Sequence, residues 1–380
     1  MDIMLNNEDR QFQQNCRSFA RERLAAIAVR YGETADIPVE MIKEMGEAGL
    51  FKILIPTEFG GHGVKVLHIC LAREELSGVY CPADVTLAMQ GLGSYPIILA
   101  GDRSQKEKYL PPIARGETLT TYALTEPDAG SDVNAMTSTA VERSDGYLLN
   151  GKKRFISNGQ AAQIVVAFAK TPIAMNDRAM SAFVLDKSLP GLKVAKRLEV
   201  MAPHDLVELE FQDCAISKEN LLGSIGDGYS IAMKTLDIFR MSVGAAAIGI
   251  GQAAFDEALR YSGKRVQFGS PIAKFQAIQL KLADMVTELD ASRALVYRAA
   301  ILKDRGMPNV SMYASMAKFY ATEAAFRSVD QALQVFGGLG VIKGSVVERL
   351  YREIRALRIY EGTSEIQKLV IANSLLREIK

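Results

Sequence analysis

Hydrophobic positions in the first 115 or so residues recur at helical spacing. Asn6 and Asn7 precede Glu8, and Phe12, Cys16 and Phe19 follow at steps of four and three, the pattern of a capped amphipathic helix start. Pro38 opens a second short helix carrying Met41, Ile42 and Met45. Helical patterning returns over residues 66–80 and 84–100, whereas Phe59-Gly60-Gly61-His62-Gly63 is too glycine-rich for a regular element and reads as a loop.

The character changes near Thr118. From there to about residue 222 the chain is rich in Thr, Val, Tyr, Phe and Gly, with turns at short intervals. Ser144-Asp145-Gly146 separates residues 137–143 from 147–150, a hairpin signal, and 164–168, 182–185 and 207–211 are further strands. From about Gly226 the helical period dominates. Ile278, Leu282, Met285 and Leu289 mark one face of a helix over residues 274–304, and Met312, Met316, Phe319 and Phe326 repeat the pattern until Gly337-Gly338 stops it. Residues 242–255 are almost wholly small or apolar, so that helix is expected to be buried on most sides. The expected fold class is α+β, mainly α. It comprises an N-terminal helical domain (1–117), a small central β-barrel-like domain (118–225) and a C-terminal four-helix bundle (226–380).

Composition narrows the function classes. The 380 residues carry 45 basic and 44 acidic side chains, a net charge of +1, so no broad basic face exists for nucleic acid or an anionic membrane. Cys16, Cys70, Cys81 and Cys214 are scattered and there are only three histidines, which argues against a zinc site or a disulfide framework. The cysteines read as small buried hydrophobes in a reducing compartment. The N-terminal Met-Asp-Ile-Met-Leu-Asn-Asn has no basic stretch followed by an apolar run, and no run of about 18 apolar residues occurs; the expectation is a soluble, cytoplasmic chain without a leader or membrane span.

Five segments carry candidate chemistry, and each has a plain structural alternative. Tyr122 to Asp132 (YALTEPDAGSD) runs from a strand into a loop with exposed backbone N–H groups, suited to a planar ligand or to an ordinary turn. In Lys153-Arg154-Phe155-Ile156-Ser157, strand alternation puts Phe155 and Ser157 on one face, an aromatic plate beside a hydroxyl or a plain core face. Arg265-Val266-Gln267-Phe268-Gly269 with Gln276 offers a phosphate clamp or a helix-capping arginine. Gln334 to Gly338 (QVFGG) is by itself a helix stop. Glu361, in Ile359-Tyr360-Glu361-Gly362-Thr363, is read at the start of a new helix: a dipole-stabilising acid, or a desolvated base aimed into a cavity.

Taken together, in this order and spacing, the five segments resemble the acyl-CoA dehydrogenase family over essentially the whole chain. The resemblance implies FAD-dependent α,β-dehydrogenation of an acyl-CoA to the trans-2-enoyl-CoA, with Glu361 taking the α-proton and the β-hydride passing to flavin N5. It implies that Tyr122, Leu124, Thr125 and Ser131 line the flavin ring and ribityl region, with Ser131 also near the pantetheine. Phe155 would cover one flavin face and Ser157 would bond near N5, where relatives often have tryptophan and threonine; this chain has no tryptophan. Arg265, Phe268, Gln276, Gln334 and Gly338 would hold the pyrophosphate and adenine side, partly from a neighbouring subunit in a homotetramer. Thr363 and Glu365 would also contact FAD, Asp237 and Arg240 would meet CoA, and the turn at Gly362 the substrate. An electron-transfer flavoprotein is the implied acceptor; an oxidase using O₂, or a dehydrogenase for a cyclic acyl-CoA, is the alternative. Phe239 and Asp237 offer no better base than Glu361 on the helix near Arg240. The stretch Met201 to Leu206 departs from the family's glycine- and arginine-containing pattern, and Asp84 reads as a solvated or capping residue, or as an extra acid in the acyl pocket. Met89, Leu92 and Tyr95 are expected to narrow that pocket.

Overall fold

A computed structural model describes residues 4–172 and 179–377. The first three residues, on which part of the leader reading rests, lie outside the described set. Among the described residues the helices are α1 (Asn7–Phe19), α2 (Ala25–Tyr31), α3 (Val39–Glu47), α4 (Val66–Ser77), α5 (Cys81–Ala100), α6 (Arg103–Arg115), α7 (Gly228–Lys264), α8 (Gln276–Asp304), α9 (Val310–Phe336), α10 (Val346–Leu357) and α11 (Ser364–Arg377). The order is helical, sheet, helical. The chain packs as two compact units, each drawn from separate stretches: Met1–Arg30, Val66–Asp84 and Asp237–Lys380 in the first, Tyr31–Lys65 and Val85–Leu236 in the second.

In the first unit, α1 starts where the sequence places it. Asn6 accepts from Asp9 N and the Asp9 side chain accepts from Asn6 N, a reciprocal cap. The core joins Val243, Ala247 and Ile250 of α7 to Leu289 of α8, Val329 of α9 and Ile354 of α10. The most buried face of α9 is its small one, Ala314, Ala317, Ala321, Ala324 and Ala325, rather than the Met312–Phe319–Phe326 stripe expected from the large apolar residues. Small side chains let helices approach closely, and Gly249 shows how closely: a Cβ there would lie 2.0 Å from the Glu74 carbonyl oxygen of α4. Helix α7 is long and apolar enough to cross a membrane by length and composition alone, despite its lack of an unbroken apolar run, but 83% of its most apolar stretch is buried in the protein.

The second unit is built on an eight-stranded sheet. Its strands are β1 (Thr120–Ala123), β2 (Thr139–Arg143), β3 (Gly146–Ser157), β4 (Ile164–Lys170), β5 (Met180–Asp186), β6 (Leu192–Arg197), β7 (Leu206–Ser217) and β8 (Leu221–Leu222). The hydrogen-bonded path runs β6-β7-β3-β2-β4-β5-β8, and β1 joins as a parallel neighbour of β4. Strands β1 and β2 share that edge of β4, β2 touching it only at Lys170. Within this unit Gln90 of α5 accepts from Thr120 N at 2.6 Å and so fixes the start of β1.

Strand β3 contains a bulge. Lys153 pairs with Leu209 and Ile156 with Val207, so β3 spends one residue more than β7 over this interval. The extra residue reverses the parity of the strand: Lys153 and Ile156 both point inward, while Phe155 is exposed and Ser157 half-buried. The inward Lys153 meets Glu126 at 2.7 Å, both side chains being nearly inaccessible. Lys153 also donates to the Leu124 carbonyl, and Glu126 accepts from Thr137 N and Ser138 N, so the loop after β1 is tied to β3 at several points.

Burial alone would raise the Glu126 carboxyl, but the Lys153 ammonium and the bonds from Ser138 and Thr137 outweigh it and hold the group down to about 2. For Lys153 burial wins, lowering it to about 8 in spite of Glu126. Because the Glu126 value is depressed in the folded state, its stabilising contribution is complete above the ordinary 4.5 and is lost as pH falls toward about 2. Lys153→Met leaves Glu126 buried and unpaired, and urea unfolding at neutral pH should show a loss of about 3–5 kcal/mol; a loss below about 1 kcal/mol, the surface-pair range, would refute this assignment.

Candidate active site

Glu361 does not open a helix. Helix α10 ends at Leu357, α11 begins at Ser364, and Glu361 sits in the turn before it with φ +54°, followed by Gly362 at φ +93°. A positive φ costs a non-glycine residue about 1–3 kcal/mol and persists only where its surroundings enforce it. The enforcement is visible. Lys318 of α9, fully buried, donates to the Gly362 carbonyl at 2.8 Å, and Gln367 of α11, also fully buried, donates to the carbonyls of Gly362 (2.9 Å) and Glu361 (3.2 Å). Arg358 and Ser364 converge on Glu323 of α9 and close the turn from its other side.

The Glu361 carboxylate is poor in partners. Its Oε2 is buried and accepts no hydrogen bond from the described residues. Burial raises its proton affinity above the ordinary carboxylate value; Arg73, Lys318 and Arg240 pull against that, and Asp84 adds to it. Lys318 is lowered to about 8, first by burial, with the Glu361 charge opposing. Burial likewise holds Tyr360 well above its usual value.

Asp84 is neither solvated nor a cap, and its carboxylate is held in a buried ion pair. It accepts from Arg73 Nε at 2.7 Å and from a second guanidinium nitrogen at 2.9 Å, with both side chains buried. Arg73 spends its remaining arm on Ser242 Oγ of α7 at 2.8 Å, and Ser242 donates onward to the Phe239 carbonyl. A cation is thus fixed in the same unit as Glu361 with its own counter-ion. Its sequence signal was an arginine directly after the largely apolar stretch of residues 66–72, and Lys318 left a similar trace among the alanines of α9.

The other expected residues of this unit fall into two groups. Arg240 pairs with Asp237 at 3.0 Å, and Asp237 also accepts from Ser311. Arg240 Nε, a donor, and Glu361 Oε2, an acceptor, are both buried without a hydrogen-bond partner among the described residues. Thr363 accepts from Ile366 N, while Glu365 is exposed. Arg265, Gln276, Gln334 and Gly338 are exposed, as is Phe268, which is 96% accessible with φ +51° on a hairpin loop between residues 267 and 270. Among the described residues no hydrogen bond or ion pair joins these five to Glu361.

In the second unit the loop after β1 and the end of β3 do come together. Arg154 N donates to the Thr125 carbonyl at 2.9 Å, Lys153 to that of Leu124, and Thr121 Oγ1 to that of Ser157 at 2.6 Å. Tyr122 and Leu124 are buried, with Tyr122 packed on Phe168 at a ring separation of 4.9 Å. Thr125 is half-buried and Ser131 exposed on the loop. Phe155 is 56% accessible with φ +58°, and the Arg154 guanidinium lies over it, 5.1 Å from the ring centre. An aromatic plate held outward by a strained backbone, beside a hydroxyl and a loop whose Gly130 has open space around it, fits a flat heterocycle. Met89 and Leu92 are buried and Tyr95 half-buried in α5.

Sequence models of the acyl-CoA dehydrogenase N-terminal, middle and C-terminal domains match residues 6–117, 121–214 and 226–376. The chain is 42% identical to an acyl-CoA dehydrogenase of Bacillus subtilis, over 95% of this chain and 96% of that one. It is equally close, 42% over 95% and 96%, to a 3-(aryl)acrylate reductase of Clostridium sporogenes. A chain in the solved structure of the electron transferring flavoprotein of Acidaminococcus fermentans superposes with a TM-score of 0.95 at 41% identity, covering 99% of this chain and 100% of that one. The chain belongs to the acyl-CoA dehydrogenase family. It is an oxidoreductase whose reaction is the FAD-dependent dehydrogenation of an acyl-CoA.

Arg73→Met strands Asp84 in the protein interior and should cost about 3–5 kcal/mol in urea unfolding. Arg73→Met combined with Asp84→Leu removes both charges and should recover most of that loss; if the double variant is no more stable than the single one, the pair is not the structural unit described.

Proposed function

We propose that Glu361 is the base that removes the α-proton of the acyl thioester. The observation that carries this reading is the buried, unpartnered Oε2 on a turn forced into the left-handed region. A carboxylate kept out of water binds a proton more tightly than a free one, which brings it closer to the weak acidity of the carbon next to a thioester. The backbone N–H of Glu361 supplies the complementary half, donating to the thioester carbonyl and stabilising charge as the proton leaves. Asp237 and Arg240 hold the CoA moiety, with Ser131 and Gly362 contributing to substrate binding. When bound, FAD supplies the two-electron acceptor for the β-hydride. Tyr122, Leu124, Thr125, Ser131, Phe155 and Ser157 hold its ring end. Arg265, Phe268, Gln276, Gln334 and Gly338 hold its pyrophosphate and adenine end, with Thr363 and Glu365 beside them.

The exposed Phe268, Val266, Leu339, Val341 and Ile342 support a homotetramer in which these surfaces are covered. The Acidaminococcus structure supports an electron-transfer flavoprotein as redox partner. Microscopic reversibility makes the same carboxylate a proton donor in the reductive direction, the one for which the Clostridium relative is named.

Glu361→Gln keeps the shape and removes the base. It should retain FAD and bind acyl-CoA, while anaerobic flavin bleaching slows by about 10²–10⁴-fold. Bleaching at the unmodified rate would place the base elsewhere. Because the Glu361 proton affinity is raised, the ascending limb of the rate against pH should lie above the ordinary carboxylate value of 4.5.

A further inference from the structure

The stretch Met201–Leu206, which departs from the family pattern, brings a histidine onto the face that carries Phe155 and Ser157. His204 lies within the second unit, half-buried, with Nδ1 at 3.2 Å from the Ala202 carbonyl and Nε2 at 3.4 Å from Ser157 Oγ. A carbonyl oxygen only accepts, so Nδ1 carries the proton. In the neutral ring Nε2 is then an acceptor, and the Ser157 hydroxyl is its donor. Burial pushes the His204 pKa below the ordinary value, the Ala202 carbonyl and Asp205 opposing, which keeps the ring neutral. Asp205, the next residue, is a charge that acts on the ring; it is engaged by the amides of Gln160 and Ala161 and faced in turn by Arg197 and Lys187.

We infer that His204 is a positioning residue that fixes the direction of the Ser157 hydroxyl, so that Ser157 gives its proton to the ring and presents acceptor lone pairs outward. Two further contacts make the serine a fixed point. Thr121 Oγ1 donates to its carbonyl at 2.6 Å, and the next residue, Asn158, has φ +58° and donates its N–H to the Asp205 carbonyl at 2.9 Å. The serine backbone is therefore clamped on both sides, and rotation of one hydroxyl is the freedom left for His204 to remove.

The consequence for the reaction rests on the reading that this face holds the flavin edge. Oxidised flavin N5 accepts a hydrogen bond, whereas reduced N5–H donates one. A hydroxyl committed to accepting therefore favours the reduced cofactor and raises its potential. Without the histidine acceptor, the same hydroxyl turns its proton outward and favours the oxidised form.

The test uses purified holoenzyme of the unmodified protein, His204→Phe, Ser157→Ala and the double variant. Flavin content per chain and the two-electron midpoint potential are read for each. His204→Phe should keep its flavin and shift the potential downward by the equivalent of about a tenfold change in the oxidised-to-reduced ratio, about 30 mV for two electrons. In the Ser157→Ala background the same substitution should have no further effect. An unchanged potential in His204→Phe, or an equal shift with and without Ser157, overturns the inference. So does loss of flavin, since a residue that only orients a hydroxyl does not hold the cofactor. His204→Leu repeats the measurement should the phenyl ring prevent folding. Absence of flavin from the unmodified protein would instead strike the cofactor reading itself.

Discussion

A carboxylate removed from water must be held there, and that requirement organises the helical unit. Glu361 occupies a backbone conformation it would not choose, on a turn with little regular structure of its own. Lys318 and Gln367 hold the two carbonyls of that turn from helices on either side of it in sequence. The clamp works because both donors are buried: competition with water is absent, so each bond keeps more of its intrinsic strength. The small-residue face of α9 carries Lys318. Close helix packing and the position of the Glu361 turn are therefore consequences of one set of residues.

Buried charge serves both units in the same manner, as a registration device. In the helical unit Arg73 and Asp84 satisfy each other and leave Arg73's third arm on α7. In the sheet unit Lys153 and Glu126 lock a loop to a strand. Neither pair is an economical source of stability, since desolvation consumes much of the attraction. Displacing either partner would leave a buried charge stranded, so each pair penalises a misplaced element.

Much of this was legible in the sequence. Helix periods at residues 276–304, the Asn6 cap, the hairpin at Ser144-Asp145-Gly146 and the helical–sheet–helical order follow from spacing alone. The five chemical segments were legible only as a set. Three features were not. Glu361 precedes the helix it was expected to start, because positive φ at a glutamate has no compositional signal; only the following glycine hints at it. Asp84 misled because an acid in the first turn of a helix ordinarily reads as solvated, and its partner sits eleven residues earlier in a different helix. The burial of α9 on its alanines was masked by the larger methionines and phenylalanines, which dominate any count of hydrophobicity.

The one-residue bulge in β3 separates two kinds of duty along a single strand. On the inner side of the irregularity Lys153 answers to the folded core; on the outer side Phe155 and Ser157 answer to whatever they face. A regular strand would have put all three on one surface and made every change at the outer positions a change in packing as well. With the parity reversed, a substitution at Phe155 or Ser157 alters an outward surface and leaves the inward contacts of Lys153 and Ile156 in place.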